Sequence, residues 1–303
     1  MHMLKADTDV VNAVPNGAEE KVKKQSQIKE VFKRLMRNKL AAAGFVVLCF
    51  YILLVIIGSW IAPYEFAKID MTMINQAPSS EHWFGTDDFG RDVFSRVLIG
   101  CRYSLGIGAG SVVIGCSIGI LLGCLSGYFG GVVEELIMRF CDFLQSIPAT
   151  LLAIVVFMVL GSGYFNTIIA LSITRIPMNC RMIRAQFLSQ RKLEYVEAAQ
   201  AGNCSKFRQM FIHILPNAIS PIIVTTTMGV GSTITMAAGL SFINLGVQPP
   251  LPEWGAMMSA AREYIRYYPY QLLYPGLAMA LFVLALNLFG DGLRDALDPK
   301  LKY

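Results

Sequence analysis

Long stretches of apolar residues without charge set the class of this chain before anything else does. Leu40 to Ala62 is the clearest, with no Asp, Glu, Lys or Arg. About 18 or more such residues suffice to cross the hydrocarbon of a bilayer as a helix. Tyr103 to Phe129 is a second run, and Phe143 to Leu160 a third with Pro148 near its start. A fourth begins near Tyr164, is interrupted by Arg175, and is read to about Arg184 with a bend at Pro177. Asn217 to Leu245 is the fifth and Leu272 to Phe289 the sixth. The expectation is an all-α polytopic membrane protein with six transmembrane helices. Composition agrees: 16% of residues are charged, against about 25% in an average soluble domain. The first run begins well inside the chain and no small-residue cleavage pattern precedes Pro63, so it reads as a retained anchor.

Lys and Arg orient the spans, because cytoplasmic loops carry the excess. The first 39 residues hold nine, the stretch from Arg175 to Arg208 seven, the tail after Gly290 three, and Arg139 adds one. The opposite side receives only Lys68, Arg91, Arg96, Arg102, Arg262 and Arg266. Both termini are expected in the cytoplasm of a cell with the chain in its inner membrane, Cys204 inside and Cys101 near the outer surface. The net charge of +5 follows this topology, and no nucleic-acid partner is expected.

The chain divides accordingly. Residues 1–25 are polar and aperiodic, the composition of a disordered tail. In 26–39, Ile28, Val31, Phe32, Leu35 and Met36 recur at helical spacing among basic residues. That is a basic amphipathic helix, lying on the inner leaflet or packed on a partner protein. The first span, 40–62, leads into an extracytoplasmic loop, 63–102. A core of five further spans, 103–290, contains a cytoplasmic loop at 189–215, and 291–303 form a cytoplasmic tail.

Within the second span Gly115, Gly119, Gly123, Gly127 and Gly131 recur every four residues, on one helix face. Such a ridge admits the backbone of another helix, in this chain or another. Gly115-Cys116-Ser117-Ile118-Gly119 matches the GxSxG nucleophile pattern literally. That pattern needs a strand-to-helix turn with His and acid partners, and none of His2, His82 and His213 is placed to serve. Those histidines are also too scattered for a metal site. Seven cysteines without a CxxC pair argue against a disulfide framework. The dipeptide Gly-Lys is absent, so the chain has no P-loop for nucleotide. No Asp, Glu or His lies deep in a span, where ion-coupled carriers place theirs. No catalytic residue, metal or cofactor is expected in this chain. Uphill transport would draw its energy from another subunit.

The loop between the fourth and fifth spans is the informative one. Residues 193–201 are good helix formers, Gly202 or Asn203 is suited to a left-handed stop, and Ser205 to capping a second helix that runs to Leu215. The product is a short helix-turn-helix knob. Glu197-Ala198-Ala199, a glycine position and Ile214-Leu215-Pro216 resemble the EAA motif of ABC importer permeases. The family glycine falls at position 203, where this chain has Asn203 after Gly202. The resemblance implies that Glu194, Tyr195, Glu197, Ala198, Ala199, Gly202 and Asn203 form a coupling helix and turn seated in a cleft of an ATPase subunit.

Three further stretches resemble the C-type subunit of dipeptide, oligopeptide and nickel permeases: Phe84 to Arg96 (FGTDDFGRDVFSR), Gly246 to Gly255 (GVQPPLPEWG) and Asn287 to Pro299 (NLFGDGLRDALDP). The resemblance covers nearly everything from residue 30 onward and specifies the family rather than the solute. It implies a type I ABC importer permease with a second permease subunit, two ATPase subunits carrying ATP and Mg, and an extracytoplasmic solute-binding protein. Peptide is the leading solute, with nickel, a metal chelate or glutathione as the alternative. The long outer loop mixes aromatic and charged residues, which favours an ordered cap or docking face. Trp83, Phe84, Asp87, Phe89 and Arg91 are the candidates to receive the binding protein, while Gly85, Thr86 and Asp87 also suit a simple helix cap. In span five, Thr225, Thr226, Ser232, Thr233 and Thr235 would line a translocation path. They would equally line the pore of a stand-alone channel, the rival reading together with a secondary carrier.

Overall fold

A computed structural model of the chain describes residues 27–297. The tail expected over residues 1–25 lies outside the described residues, as do residues 298–303. The described residues are helical, with one isolated bridge between Thr86 and Asp92 and no strand.

The polypeptide runs α1 (Gln27–Arg37), α2 (Lys39–Ile61), α3 (Val93–Phe129), α4 (Gly131–Gln145), α5 (Ala149–Leu160) and α6 (Tyr164–Gln190). Then come α7 (Glu194–Ala201), α8 (Lys206–Arg208), a π-helical turn (Gln209–Ile214), α9 (Leu215–Ala218), α10 (Ser220–Phe242), α11 (Trp254–Ala261) and α12 (Tyr270–Leu297). Side-chain caps fix several starts. Asn38 accepts from the N–H groups of Leu40 and Ala41, Asp92 from Ser95 at 2.7 Å, and Glu253 from Gly255 and Ala256.

Among the described residues, four helices are long and apolar enough to cross a membrane: α2, α3, α10 and α12. The third expected span is not one rod. It breaks between Gln145 and Ala149, where Pro148 has no N–H for a continuing helix, and α4 and α5 meet at 89°. Counted together they make a fifth crossing. The expected fourth span, α6, is unbroken through Pro177, but Arg175, Arg181 and Arg184 keep it from the apolarity of the others. Two boundaries move. The loop at 63–102 gives its last ten residues to α3, which begins at Val93, and the tail at 291–303 is helical through Leu297.

The glycine ridge packs within the chain. On α3, a Cβ at Gly115 would meet the Ser172 carbonyl at 2.7 Å, at Gly119 the Asn179 Cβ at 2.6 Å, at Gly123 the Cys180 carbonyl at 2.6 Å, and at Gly127 the Phe187 Cβ at 2.5 Å. Every obstacle belongs to α6, so two backbones lie against each other with no α3 side chain between them. Gly131 is not part of this ridge. It opens α4 at φ +55° with nothing near its missing Cβ, and serves the turn after Gly130 instead.

The apolar face of α1 is also spoken for. Leu35 is buried with Ala41 and Ala296, and Val31, Met36 and Leu293 pack around them. The amphipathic helix thus docks on α2 and α12 of its own chain, leaving Phe32 exposed. Because α2 rises from α1 to the outer loop and α3 returns from that loop to the knob, α1 and the knob share one end of the molecule.

Candidate functional site

The knob is held by what lies beneath it. Val196, the third residue of α7, is completely buried among Cys124 of α3, Ile183 and Phe187 of α6, Met210 and Ile214 of the π turn, and Ile222 of α10. Burying one such side chain contributes about 1.5–3 kcal/mol. Gln209 adds a polar tie, accepting from the Tyr128 hydroxyl at 2.7 Å and donating to the Cys204 carbonyl at 2.7 Å. The turn closes through Gly202 N–H to Ala198 O and Cys204 N–H to Ala199 O. The left-handed residue is Asn203, at φ +53°, while Gly202 stays at φ −76°. Asn therefore supplies the conformation that the family glycine would. Ser205 accepts the Arg208 N–H, as its position requests. The second helix does not run evenly to Leu215. It widens to a π turn over Gln209–Ile214 just before Pro216, which has no N–H to continue an α ladder.

Glu194, Glu197, Ala198, Gly202 and Asn203 face outward, with Ala199 and Tyr195 half-buried behind them. The Tyr195 hydroxyl donates to Gln190 Oε1 at 2.8 Å, which fixes α7 to the end of α6. The outward face is thus small and acidic on a rigid base. Sequence reasoning missed Val196, Gln209 and Tyr128, which build that base, and Phe207, 67% exposed beside the turn.

At the far end the outer loop is ordered by Asp87. Its carboxylate accepts from the N–H groups of Phe89 and Arg91 and from Arg91 Nε at 2.7 Å. Arg91 is buried, and its guanidinium lies 4.6 Å from the Phe89 ring centroid. Burial and the neighbouring Asp87 carboxylate push the Asp88 carboxyl above the usual range, against the pull of Arg91. Phe84 stacks on Tyr274 of α12 at 3.8 Å. The helix cap falls to Asp92, not to Gly85, Thr86 or Asp87. Of the five docking candidates, Trp83 at 61% and Phe89 at 41% are open to a partner. Phe84, Asp87 and Arg91 shape the loop from inside.

Glu253, at the end of the segment joining α10 to α11, is buried. It caps α11 and accepts from Ser104 of α3 and Ser241 of α10. Burial raises its carboxyl above the usual range, and these hydrogen bonds oppose the rise.

The hydroxyl residues of α10 divide between two faces. Thr225, Ser232 and Thr235 share an outer stripe, with Ser232 and Thr235 exposed and Thr225 half-buried, its hydroxyl 3.7 Å from Met182 Sδ of α6. Thr226 contacts Cys116 Sγ at 3.3 Å and Thr233 is buried, so both face the chain's own helices.

A polytopic helical chain with a buttressed knob at one end and an ordered cap at the other is the architecture of an importer permease. Residues 119–303 match the family described as "Binding-protein-dependent transport system inner membrane component", and residues 26–78 match "N-terminal TM domain of oligopeptide transport permease C". The chain is 43% identical over 274 residues to the dipeptide transport system permease protein DppC of Alkalihalophilus pseudofirmus, covering 90% of each. It is 45% identical over 294 residues to the glutathione transport system permease protein GsiD of Shigella boydii, covering 97% of this chain and 96% of that one. A chain of the inward-facing MetNI methionine ABC transporter shares the fold, with TM-score 0.54 and 17% identity over 67% of this chain and 96% of that one.

The chain belongs to the binding-protein-dependent ABC importer permeases, with the type I fold, and is a transporter subunit rather than an enzyme. Membership sets aside the stand-alone channel and carrier. It places the chain in a membrane, in a family that works with permease, ATPase and binding-protein partners.

Proposed function

We propose that this chain is one of two permease subunits of an importer for di- or oligopeptides, working with two ATPase subunits and an extracytoplasmic binding protein. The observation that carries the solute is the likeness over nine-tenths or more of the chain to permeases named for dipeptide and for glutathione, itself a small peptide. Nucleotide and Mg would be held by the ATPase subunits. The chain lies in the inner membrane with six crossings, α4–α5 and α6 included, and both termini in the cytoplasm. Solute passes between the two permeases along the outer stripe of α10.

ATPase closure reaches the spans through α7. Glu194 and Glu197 offer charge to a basic or amide group, Ala198 and Ala199 permit close approach, and Val196 passes the movement to α3, α6 and α10. Trp83 and Phe89 meet the binding protein. The complex reconstituted in vesicles should take up dialanine, trialanine or glutathione only with ATP and binding protein present. Uptake of none of these would refute the peptide reading.

A further inference from the structure

Arg175 is a cation in the middle of the helical bundle with no anion paired to it among the described residues. It lies roughly 17 Å along an α6 of about 40 Å, and Ser232 lies roughly 18 Å along an α10 of about 35 Å, at 1.5 Å per residue. Its guanidinium donates to Thr233 Oγ1, the Gly229 carbonyl and Ser232 Oγ, each at 2.6 Å. All three acceptors are neutral. Among the described residues no carboxylate lies within ion-pair distance of it and no acceptor meets its Nη1.

The slot is built for this side chain. A Cβ at Gly229 would stand 2.7 Å from Arg175 Nη1, and one at Gly115 would stand 3.0 Å from Arg175 Cβ. The slot opens at exposed Ser232, on the same stripe as Thr225 and Thr235.

Holding a charged arginine at mid-span is costly. Neutral hydroxyls and one carbonyl do not return that cost by charge pairing. The planar fork matches a carboxylate, which it binds through two parallel hydrogen bonds. Midplane positions where helices meet are where transporters hold solute.

We infer that Arg175, with Ser232 at the mouth of its slot, is a solute-binding site inside the permease for the carboxylate of the passing molecule. The inference rests on the importer reading above and deepens it. For a peptide the ligand is the C-terminal carboxylate, taken up by the guanidinium as it exchanges the Ser232 hydroxyl for the incoming oxygens. The positive charge also disfavours passage of small cations along the same stripe.

The test uses the full importer, with both permeases, ATPases and saturating binding protein, in proteoliposomes. Uptake of dialanine and trialanine is measured as free acids and as C-terminal amides, for wild type, Arg175→Gln, Arg175→Lys and Gly229→Ala. The binding protein is the same throughout, so its own preference cancels when acid-to-amide ratios are compared between variants. Arg175→Gln should slow the acids about tenfold or more and the amides less than about twofold, as expected for loss of a charge-assisted pair. Arg175→Lys should fall between. Gly229→Ala should shift the ratio in the same direction by displacing the guanidinium. Equal slowing of acid and amide in Arg175→Gln, with or without loss of the partner permease from the complex, would overturn the inference and make Arg175 a subunit contact. If Arg175→Gln does not assemble, an unchanged ratio in Gly229→Ala overturns it. Wild-type uptake of neither peptide refutes the importer reading itself, and is seen before any variant is compared.

Discussion

Replacing Gly123 by alanine adds one methyl group where α3 meets α6. The new Cβ would stand 2.6 Å from both the Cys180 carbonyl and the Ile183 Cβ. Ordinary contact begins near 3.4 Å, so α6 must retreat by 3.4 − 2.6 = 0.8 Å over that turn. Neither obstacle is the free end of a side chain, so no rotamer change relieves the clash. Overpacking of this kind costs about 1–3 kcal/mol. The gain of alanine over glycine in a helix, about 1 kcal/mol, offsets part of it, leaving a loss of about 0–2 kcal/mol. Gly110 on the same helix supplies the comparison. Its Cβ would rest 3.4 Å from the Ile168 side chain, so Gly110→Ala should keep the propensity gain of about 1 kcal/mol. Gly131→Ala should lose about 1–2 kcal/mol from its left-handed backbone alone. Heat-induced unfolding of the detergent-purified complex reads each of these changes. Gly110→Ala should melt above wild type, Gly123→Ala at or below it, and Gly123→Leu lower still. A Gly123→Ala complex that melts with or above Gly110→Ala would refute a rigid backbone seam.

Glu197→Lys or Ala199→Trp should leave membrane insertion intact, because Glu197 is exposed and an exposed charge contributes about 0–1 kcal/mol to the free chain. Uptake per ATP hydrolysed, or retention of the ATPase subunits, should fall. Unchanged values in both variants would remove α7 from the coupling. Trp83→Ala with Phe89→Ala should weaken capture of the binding protein without changing expression, and equal capture by surface-immobilised complexes would assign docking elsewhere. For Glu253 the raised folded value sets the sign. Its contribution is fully present below the unfolded carboxylate range and is lost as pH rises through the raised value. Melting temperature should therefore fall over that interval, and Glu253→Gln should flatten the fall; an identical pH profile in the variant would contradict it. Cys101 is buried against the Tyr51 carbonyl, so an impermeant thiol reagent should not label it, contrary to the expectation from position alone. Cysteine introduced as Trp83→Cys should react from outside whole cells and Cys204 should not, and the reverse pattern would invert the topology.

Hydropathy was enough to locate α2, α3, α10 and α12, because a helix facing lipid must be apolar over most of its length. It misjudged the third run, since apolarity is blind to direction and the chain turns through 89° at Pro148. The four-residue glycine period was legible, but its neighbour was not, because a bare face fits any backbone. Gly131 kept the period while leaving the helix, for a turn can fall on a repeat by coincidence. At the knob the outward residues could be read from spacing. Val196 and Gln209 could not, because their roles depend on α3 and α6 arriving from distant sequence. Arg175 was visible as an interruption, and only its placement against Gly229 and Ser232 gave it a surrounding.

The seam between α3 and α6 also bears on suppressor genetics. No residue is smaller than glycine, so every missense change at Gly115, Gly119, Gly123 or Gly127 adds atoms. The atoms opposite are chiefly α6 carbonyls, which every residue possesses, and Cβ carbons, which every residue except glycine possesses. Trimming Asn179, Ile183 or Phe187 to alanine leaves those obstacles in place. Revertants of α3 lesions should therefore restore glycine itself or alter how α6 is tethered, through the Arg184–Glu134 and Arg181–Asp142 pairs to α4, rather than carve a matching hollow across the seam.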